Sequence, residues 1–138
     1  MRFHLHRINQ DRGAVAVEFA LIASLLVMLI FGIVEFGTAY SQYQVFQNAA
    51  RQGARTGAVR GDKATILDAV DGAAAGYPIS GPISITVNDS GATGDPPCDD
   101  ASVGEDLKVS WNQVFTIDIP FLPDMSATVN VRGVFRCE

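Results

Sequence analysis

Residues 13–36 read GAVAVEFALIASLLVMLIFGIVEF and form the most apolar part of the chain. No charged residue occurs from Phe19 to Val34. The 21 residues from Ala14 to Val34 would form a helix about 30 Å long, which is the thickness of the hydrocarbon core of a bilayer. Glu18 is the one charge inside this window, and a carboxylate in hydrocarbon needs a partner or a place at the interface. The stretch predicts a transmembrane helix over residues 14–35.

The charges before this stretch indicate how it lies in the membrane. Residues 1–13 contain three arginines and one aspartate, a formal charge of +2. A basic flank stays on the cytoplasmic side of a membrane. We therefore expect a single-pass protein of the cytoplasmic membrane, with its N-terminus inside and its C-terminal domain extracytoplasmic.

Length and net charge exclude several classes of function. The chain has 138 residues and a net charge of −5, which leaves room for one small domain beside the membrane helix and excludes a large multidomain enzyme. Residues 14–138 carry 7 basic and 14 acidic side chains. Nucleic acid is not expected as a partner, because binding to it depends on neutralising phosphates with basic side chains.

Three kinds of segment share this pattern: a signal peptide cut near Gly37 to Ala39, an uncleaved membrane anchor, and a pilin-type leader cut before the apolar run. Local sequence separates them, because Gly13 is followed five residues later by Glu18. This spacing resembles a prepilin peptidase site, in which cleavage follows the glycine. Cleavage there would create an ammonium group at Ala14, one helical turn from the carboxylate of Glu18, so the two charges could pair.

The resemblance extends beyond the cleavage motif. The stretches RGAVAVEFAL (residues 12–21), FGIVEFG (31–37) and AARQGAR (49–55) resemble the TadE-like family, minor pilin-like subunits of tight-adherence (Tad or Flp) pilus systems. The resemblance implies a processing site and a set of residues for helix packing and assembly. The processing residues are Gly13, Ala14 and Glu18, and the assembly residues are Phe19, Glu35, Arg51, Gly53, Arg55 and Gly57. It also implies prepilin peptidase, other pilin-like subunits and the pilus assembly platform as partners, and no enzymatic activity.

The helix is predicted to continue outside the membrane over residues 36–61. Phe36, Tyr40 and Tyr43 follow Glu35 at helical spacing and are typical of an aromatic belt. Small residues then recur on one face, and Gly53 and Gly57 weaken a helix unless close packing offsets the cost of about 1 kcal/mol for each. We expect this face to pack on the chain's own sheet or against another pilus subunit.

Residues 62–138 are predicted to form a small α+β domain. Asp62 is placed to cap a second helix that runs to Ala75, before Gly76 and Pro78. Three later segments alternate apolar and polar residues, which predicts a three-stranded antiparallel sheet with one buried face. The segments are Ile83–Val87, Leu107–Phe121 (interrupted at Gln113) and Ala127–Phe135. A long helix followed by such a sheet is a pilin-like architecture.

The two cysteines are Cys98, in a loop rich in glycine and aspartate, and Cys137, next to the C-terminus. In an extracytoplasmic domain we expect them to form a disulfide, whereas two free thiols would fit the reversed orientation.

No catalytic constellation is found in the sequence. Cleavage after Gly13 would remove both histidines, and no phosphate-binding or serine-nucleophile motif follows. Acidic residues between Asp89 and Asp106 lack the spacing of a calcium loop. We expect no cofactor and no metal site. The leading hypothesis is a processed minor pilin-like subunit, and the alternative is an uncleaved membrane anchor that presents a disulfide-bonded binding domain.

Overall fold

A computed structural model of the chain describes residues 10–91, 94–99, 102–119 and 123–138. The expected leader, residues 1–13, lies mostly outside these ranges. Helix α1 spans Gln10–Ala58, 49 residues without a break, since no proline interrupts it. It ends three residues before the predicted boundary, where Arg60 takes a left-handed conformation with φ of 66°.

Helix α2 spans Lys63–Ala73 and packs against the end of α1. Asp62 caps it as predicted, because its carboxylate accepts a hydrogen bond from the backbone N–H of Thr65 at 2.7 Å. Helix α2 ends at Ala73, two residues before its predicted end at Ala75. Ala75 has a φ of 55°, and Gly76, the next residue, has a φ of 82°. Two successive left-handed residues end the helix.

The sheet is antiparallel, and its strands lie in the order β2-β1-β3-β4. The strands are β1 (Ser84–Val87), β2 (Ser90–Gly91), β3 (Asp106–Ile117) and β4 (Met125–Arg136). The α+β class is confirmed, but the prediction of three strands is wrong. The additional strand β2 pairs with β1 across a tight turn in which Asn88 and Asp89 have φ of 49° and 61°. Asparagine and aspartate tolerate this left-handed conformation, and two such residues suit a two-residue hairpin turn.

Strands β3 and β4 form the main hairpin, with twelve residues in each strand. Trp111 faces Val131 and Val109 faces Gly133 in the register. The predicted strand to Phe121 ends at Ile117 in the structure, and Phe121 lies outside the described residues. Alternate residues of β3 from Leu107 to Phe115 are buried, so one face of the hairpin forms the core.

The core forms where α1 crosses this face. The ring of Phe46 on α1 makes edge contacts with Trp111, Phe115 and Tyr77, with centroids 6.3, 6.0 and 6.2 Å away. Aromatic pairs favour such geometry and bury large apolar surfaces. The C-terminal part of α1 is therefore attached to the sheet, while its N-terminal part is not.

Gln113 interrupts the apolar alternation of β3, and it is a buried hydrogen-bonding centre. Its side-chain oxygen accepts from the indole N–H of Trp111 and from the backbone N–H of Ser80, each at 3.1 Å. Its amide nitrogen donates to the carbonyl of Pro78 and the hydroxyl of Ser80. This side chain holds the segment between α2 and β1 against β3.

The expected disulfide joins Cys98 to Cys137, with Cα atoms 5.6 Å apart. Both residues are buried beside Val87 and Leu107. The backbone N–H of Glu138 donates to the carbonyl of Ala58 at the end of α1. The C-terminal residues are thereby fixed at the far end of the domain from the apolar stretch.

Candidate membrane and assembly segment

The N-terminal part of α1 has no covering in the described chain. Its large apolar side chains from Val15 to Val34 are exposed, and Phe19 is 72% exposed. Within the described ranges this is the one helix long and apolar enough to cross a membrane, with a mean hydropathy of 2.7 in its most apolar window. A single-pass anchor accounts for this exposure, because apolar side chains of this number are stable only in lipid or against other apolar helices.

The predicted processing residues lie on exposed positions of α1. Ala14 and Glu18 are one turn apart on the same side of the helix, and both are exposed. Glu18 has no hydrogen bond or ion pair within the part of the chain that the structure describes. A Cβ atom added at Gly13 would meet no heavy atom within 4 Å. Gly13 is therefore not required by packing within the chain.

Glu18 and Glu35 bracket the charge-free stretch. They lie 17 residues apart, which corresponds to about 26 Å along a helix. Glu35 is half-buried. In the turn that follows it, the rings of Phe36 and Tyr40 stack with their centroids 6.5 Å apart. This spacing puts a charge near each surface of a bilayer and an aromatic pair at one of them.

The remaining predicted assembly residues fall on two sides of α1. Gly53 and Gly57 are buried: a Cβ at Gly53 would overlap Val70 of α2, and one at Gly57 would overlap Leu107 of β3 and Ile66 of α2. These glycines allow α2 and β3 to approach α1 closely, which leaves them no surface for another subunit. Arg51 and Arg55 lie on the opposite, exposed side.

The structure thus shows an uncovered apolar stretch of α1 with a glutamate near each end. The same helix continues onto the domain, where Arg51 and Arg55 are exposed. Residues 13–55 match the family model of TadE-like proteins. The match confirms, over this segment, the resemblance found in the sequence. No curated protein and no solved structure matches the chain.

The TadE-like segment begins at the proposed cleavage site and ends at Arg55, so it contains every predicted processing and assembly residue except Gly57. The domain beyond it lies outside the match. Among the described side chains, no group of three or more histidines, cysteines, aspartates or glutamates is placed to hold a metal ion.

Two positions that attach the TadE-like helix to its domain were not identified from the sequence. Phe46 lies at the centre of the aromatic contacts, and Gly133 lies directly against the backbone of α1 at Ala50. The sequence does carry an indication of the role of Gly133. The residue stands where the alternation of the strand calls for an inward-facing apolar side chain, and a glycine at such a position often marks the close approach of another backbone.

Proposed function

We propose that this protein is a minor pilin-like subunit that acts in assembly of a Tad or Flp pilus. The chain is inserted with its basic N-terminus in the cytoplasm, prepilin peptidase cuts after Gly13, and α1 then leaves the lipid to pack with helices of other pilin-like subunits. The observation that carries the proposal is the uncovered apolar helix within a segment matching the TadE-like family.

The disulfide supports the orientation of the chain in this proposal. Structural disulfides form and persist outside the cytoplasm, whereas cytoplasmic thiols are kept reduced. Cys98 and Cys137 lie at the end of the domain remote from the apolar stretch. A domain on the extracytoplasmic side gives both cysteines an oxidising environment.

Glu18 has a role in assembly in this proposal. Cleavage leaves an ammonium group on Ala14, and the free carboxylate of Glu18 pairs with that group on a neighbouring subunit or on its own chain. An unpaired carboxylate in lipid costs several kcal/mol, so pairing favours helices that pack in one axial register.

The test of processing is the intact mass of the protein isolated from its membrane, with and without prepilin peptidase. We expect residues 1–13 to be lost only when the peptidase is present. Gly13→Ala should leave the precursor uncut, and Gly37→Ala is the matched control, because an added Cβ meets no atom within 4 Å at either position. A full-length mass in both strains would instead support the uncleaved anchor with a disulfide-bonded binding domain.

The test of assembly compares two glutamates on the same helix. Glu18→Gln should be cut normally but recovered in much lower amount with the sheared pilus fraction. Glu35→Gln changes another predicted assembly residue, at the other end of the charge-free stretch, but keeps the carboxylate that pairs with the ammonium group of Ala14. It should therefore be incorporated to a greater extent than Glu18→Gln. Undiminished incorporation of Glu18→Gln would show that this carboxylate does not set the register.

A further inference from the structure

Helices α1 and α2 lie side by side and run antiparallel, and two contacts fix how they are aligned. Gly57 of α1 lies against Ile66 of α2, and Gly53 lies against Val70. Four residues toward the apolar stretch on α1 are thus matched by four residues in the opposite chain direction on α2. Position 55 of α1 is therefore level with position 68 of α2.

Arg55 and Asp68 occupy these two positions and point in opposite directions. Arg55 is two residues from each glycine that contacts α2, and Asp68 is two residues from each side chain that contacts α1. Residues two apart on a helix are rotated by about 200°, so they point to nearly opposite sides. Both side chains are exposed. The pair of helices thus carries a positive charge on one side and a negative charge on the other.

Arg51 and Asp71 repeat this arrangement about one turn nearer the apolar stretch. Arg51 lies one turn before Arg55 on the same side of α1, and Asp71 lies three residues after Asp68 on α2. Both are exposed. Arg51 also lines a polar groove between α1 and β4 together with Arg132. The arginine side of the domain therefore consists of three charges, and the α2 face opposite it has two aspartates.

The two signs of charge are separated between these elements. No acidic residue occurs at positions 36–61 or 125–136, and no basic residue occurs at positions 64–75. Arg51, Arg55, Asp68 and Asp71 form no ion pair with another described residue. Glu138, beyond the end of β4, binds the end of α1 through its backbone N–H and does not pair with either arginine. These charges are therefore available to a partner.

The membrane aligns copies of this chain so that the two sides can meet. Copies whose α1 helices span the same bilayer share their depth and their direction. A shift in the membrane plane then places Arg51 and Arg55 of one copy against Asp68 and Asp71 of the next, at one level. A two-fold rotation would instead bring each side against itself, and like charges oppose such a contact.

Lipid headgroups do not reach the arginine side. Arg51 lies 16 residues beyond Glu35, about 24 Å along the helix, whereas the headgroup layer extends about 5–8 Å beyond the hydrocarbon core. The acidic partner is thus a protein surface, and the α2 face of a second copy supplies one at the matching level.

We propose that the arginine side of the domain (Arg51, Arg55 and Arg132) binds the α2 face (Asp68 and Asp71) of a second copy while both copies are in the membrane. Exposed ion pairs are individually weak, but confinement to one membrane raises the effective concentration of the copies. The contact joins two different surfaces, so every added copy leaves one of each free and association continues into rows.

This contact rests on the membrane insertion of α1 in the proposed function, but not on cleavage after Gly13. It gathers subunits at one height beside each other before their helices leave the lipid. Recruitment of subunits into rows is thus separate from the pairing of Glu18 that sets the register of packed helices.

The experiment measures energy transfer between copies of the full chain in phosphatidylcholine vesicles. Donor and acceptor dyes are attached through Thr128→Cys, on the exposed outer face of β4, and the native cysteines are paired in the disulfide. One variant carries Arg51→Glu and Arg55→Glu, and a second carries Asp68→Lys and Asp71→Lys.

The control variant carries Asn112→Glu and Thr116→Glu. Both positions are exposed on the face of β3 that points away from the helices. This variant receives two glutamates, as the first variant does, but outside the proposed contact. Its energy transfer should equal that of the unaltered chain.

We expect the unaltered chain to show more energy transfer than chains spread at random, and the excess should fall as salt is added. Each charge-reversed variant alone should fall to the random level, because like charges then face each other. A mixture of the donor-labelled first variant and the acceptor-labelled second should regain the excess, since opposite charges meet again at every junction.

Random-level transfer in the unaltered chain would overturn a second copy as the partner. Undiminished transfer in either charge-reversed variant, or a mixture that fails to recover, would overturn the assignment of these charges. Chains that do not float with the vesicles would overturn the insertion of α1, and with it both this contact and the proposed function.

Discussion

Gly133 of β4 lies against the carbonyl group of Ala50 on α1, so closely that a Cβ atom on Gly133 would overlap that group. The backbone of the helix and the backbone of the strand are thus in direct contact. Backbone atoms on two packed elements have little freedom to move apart, so this contact sets the distance between α1 and the sheet.

We predict that Gly133→Ala destabilises the domain. The added methyl group has to separate α1 from β4, and overpacking of this kind costs about 1–3 kcal/mol. The measurement is the free energy of unfolding of the full chain in detergent. Gly72→Ala on α2 is the control, because its Cβ would meet no atom within 4 Å and the change should stabilise the helix. Equal stability of Gly133→Ala and the unaltered chain would show that the two backbones can separate without cost.

Gln113→Leu should also destabilise the domain, although leucine is apolar and similar in size. The change leaves the indole N–H of Trp111 and the backbone N–H of Ser80 without the oxygen that accepts from them. Unsatisfied buried donors cost about 1–3 kcal/mol. Trp111 is the protein's single tryptophan, so its fluorescence should follow the unfolding and should itself change in the variant. Asn112→Leu, at the exposed neighbouring position, is the control and should lower the free energy of unfolding less than Gln113→Leu does.

Reduction of the disulfide should lower the free energy of unfolding without removing the fold. The two cysteines are 39 residues apart, and a cross-link over a loop of that length contributes about 4 kcal/mol in the chain-entropy model. Cys98→Ser should lose as much stability as the reduced protein. A reducing agent should not lower the free energy of unfolding of Cys98→Ser any further. If it did, the effect of the reductant on the unaltered chain could not be assigned to the disulfide.

Acid stability should depend on Asp62. Hydrogen bonds from the side chain and the backbone of Thr65 hold the pKa of the Asp62 carboxyl below its ordinary value of 3.8. A lowered pKa in the folded state stabilises the fold above the ordinary pKa, and the contribution is lost as the pH falls through the lower, folded value. Asp62→Asn keeps a helix cap that does not titrate. We therefore expect a smaller loss of stability below pH 3.8 in this variant, measured by thermal unfolding as a function of pH.

Helix positions were predictable because both helices carry strong local signals. The apolar stretch has no charge from Phe19 to Val34, and Asp62 stands at the position of a cap. The alternation in β3 and β4 likewise gave the buried face of the hairpin. Strand β2 was not predictable from alternation, because two residues are too few to show a period, although Asn88 and Asp89 are typical of a tight turn.

The contacts between elements could not be read from local patterns. Nothing near Gly133 in the sequence indicates that Ala50 lies against it, since the two positions meet only after the sheet and α1 pack together. The same holds for Gln113, which interrupts an apolar alternation and is buried because Ser80 and Trp111 converge on it. The predicted processing residues Gly13, Ala14 and Glu18 make no such contacts within the described chain, and the role that we propose for them depends on a peptidase and on other subunits.

Strand β4 is the last strand of the sheet, so one side of its backbone has no partner strand in the described chain. An open edge of this length invites self-association of the purified protein by strand addition. Arg132 and Arg136 project from this strand as exposed charges, and like charges brought together across a shared edge oppose that pairing. The solubility of the domain away from its membrane should therefore fall when these two arginines are replaced by apolar residues.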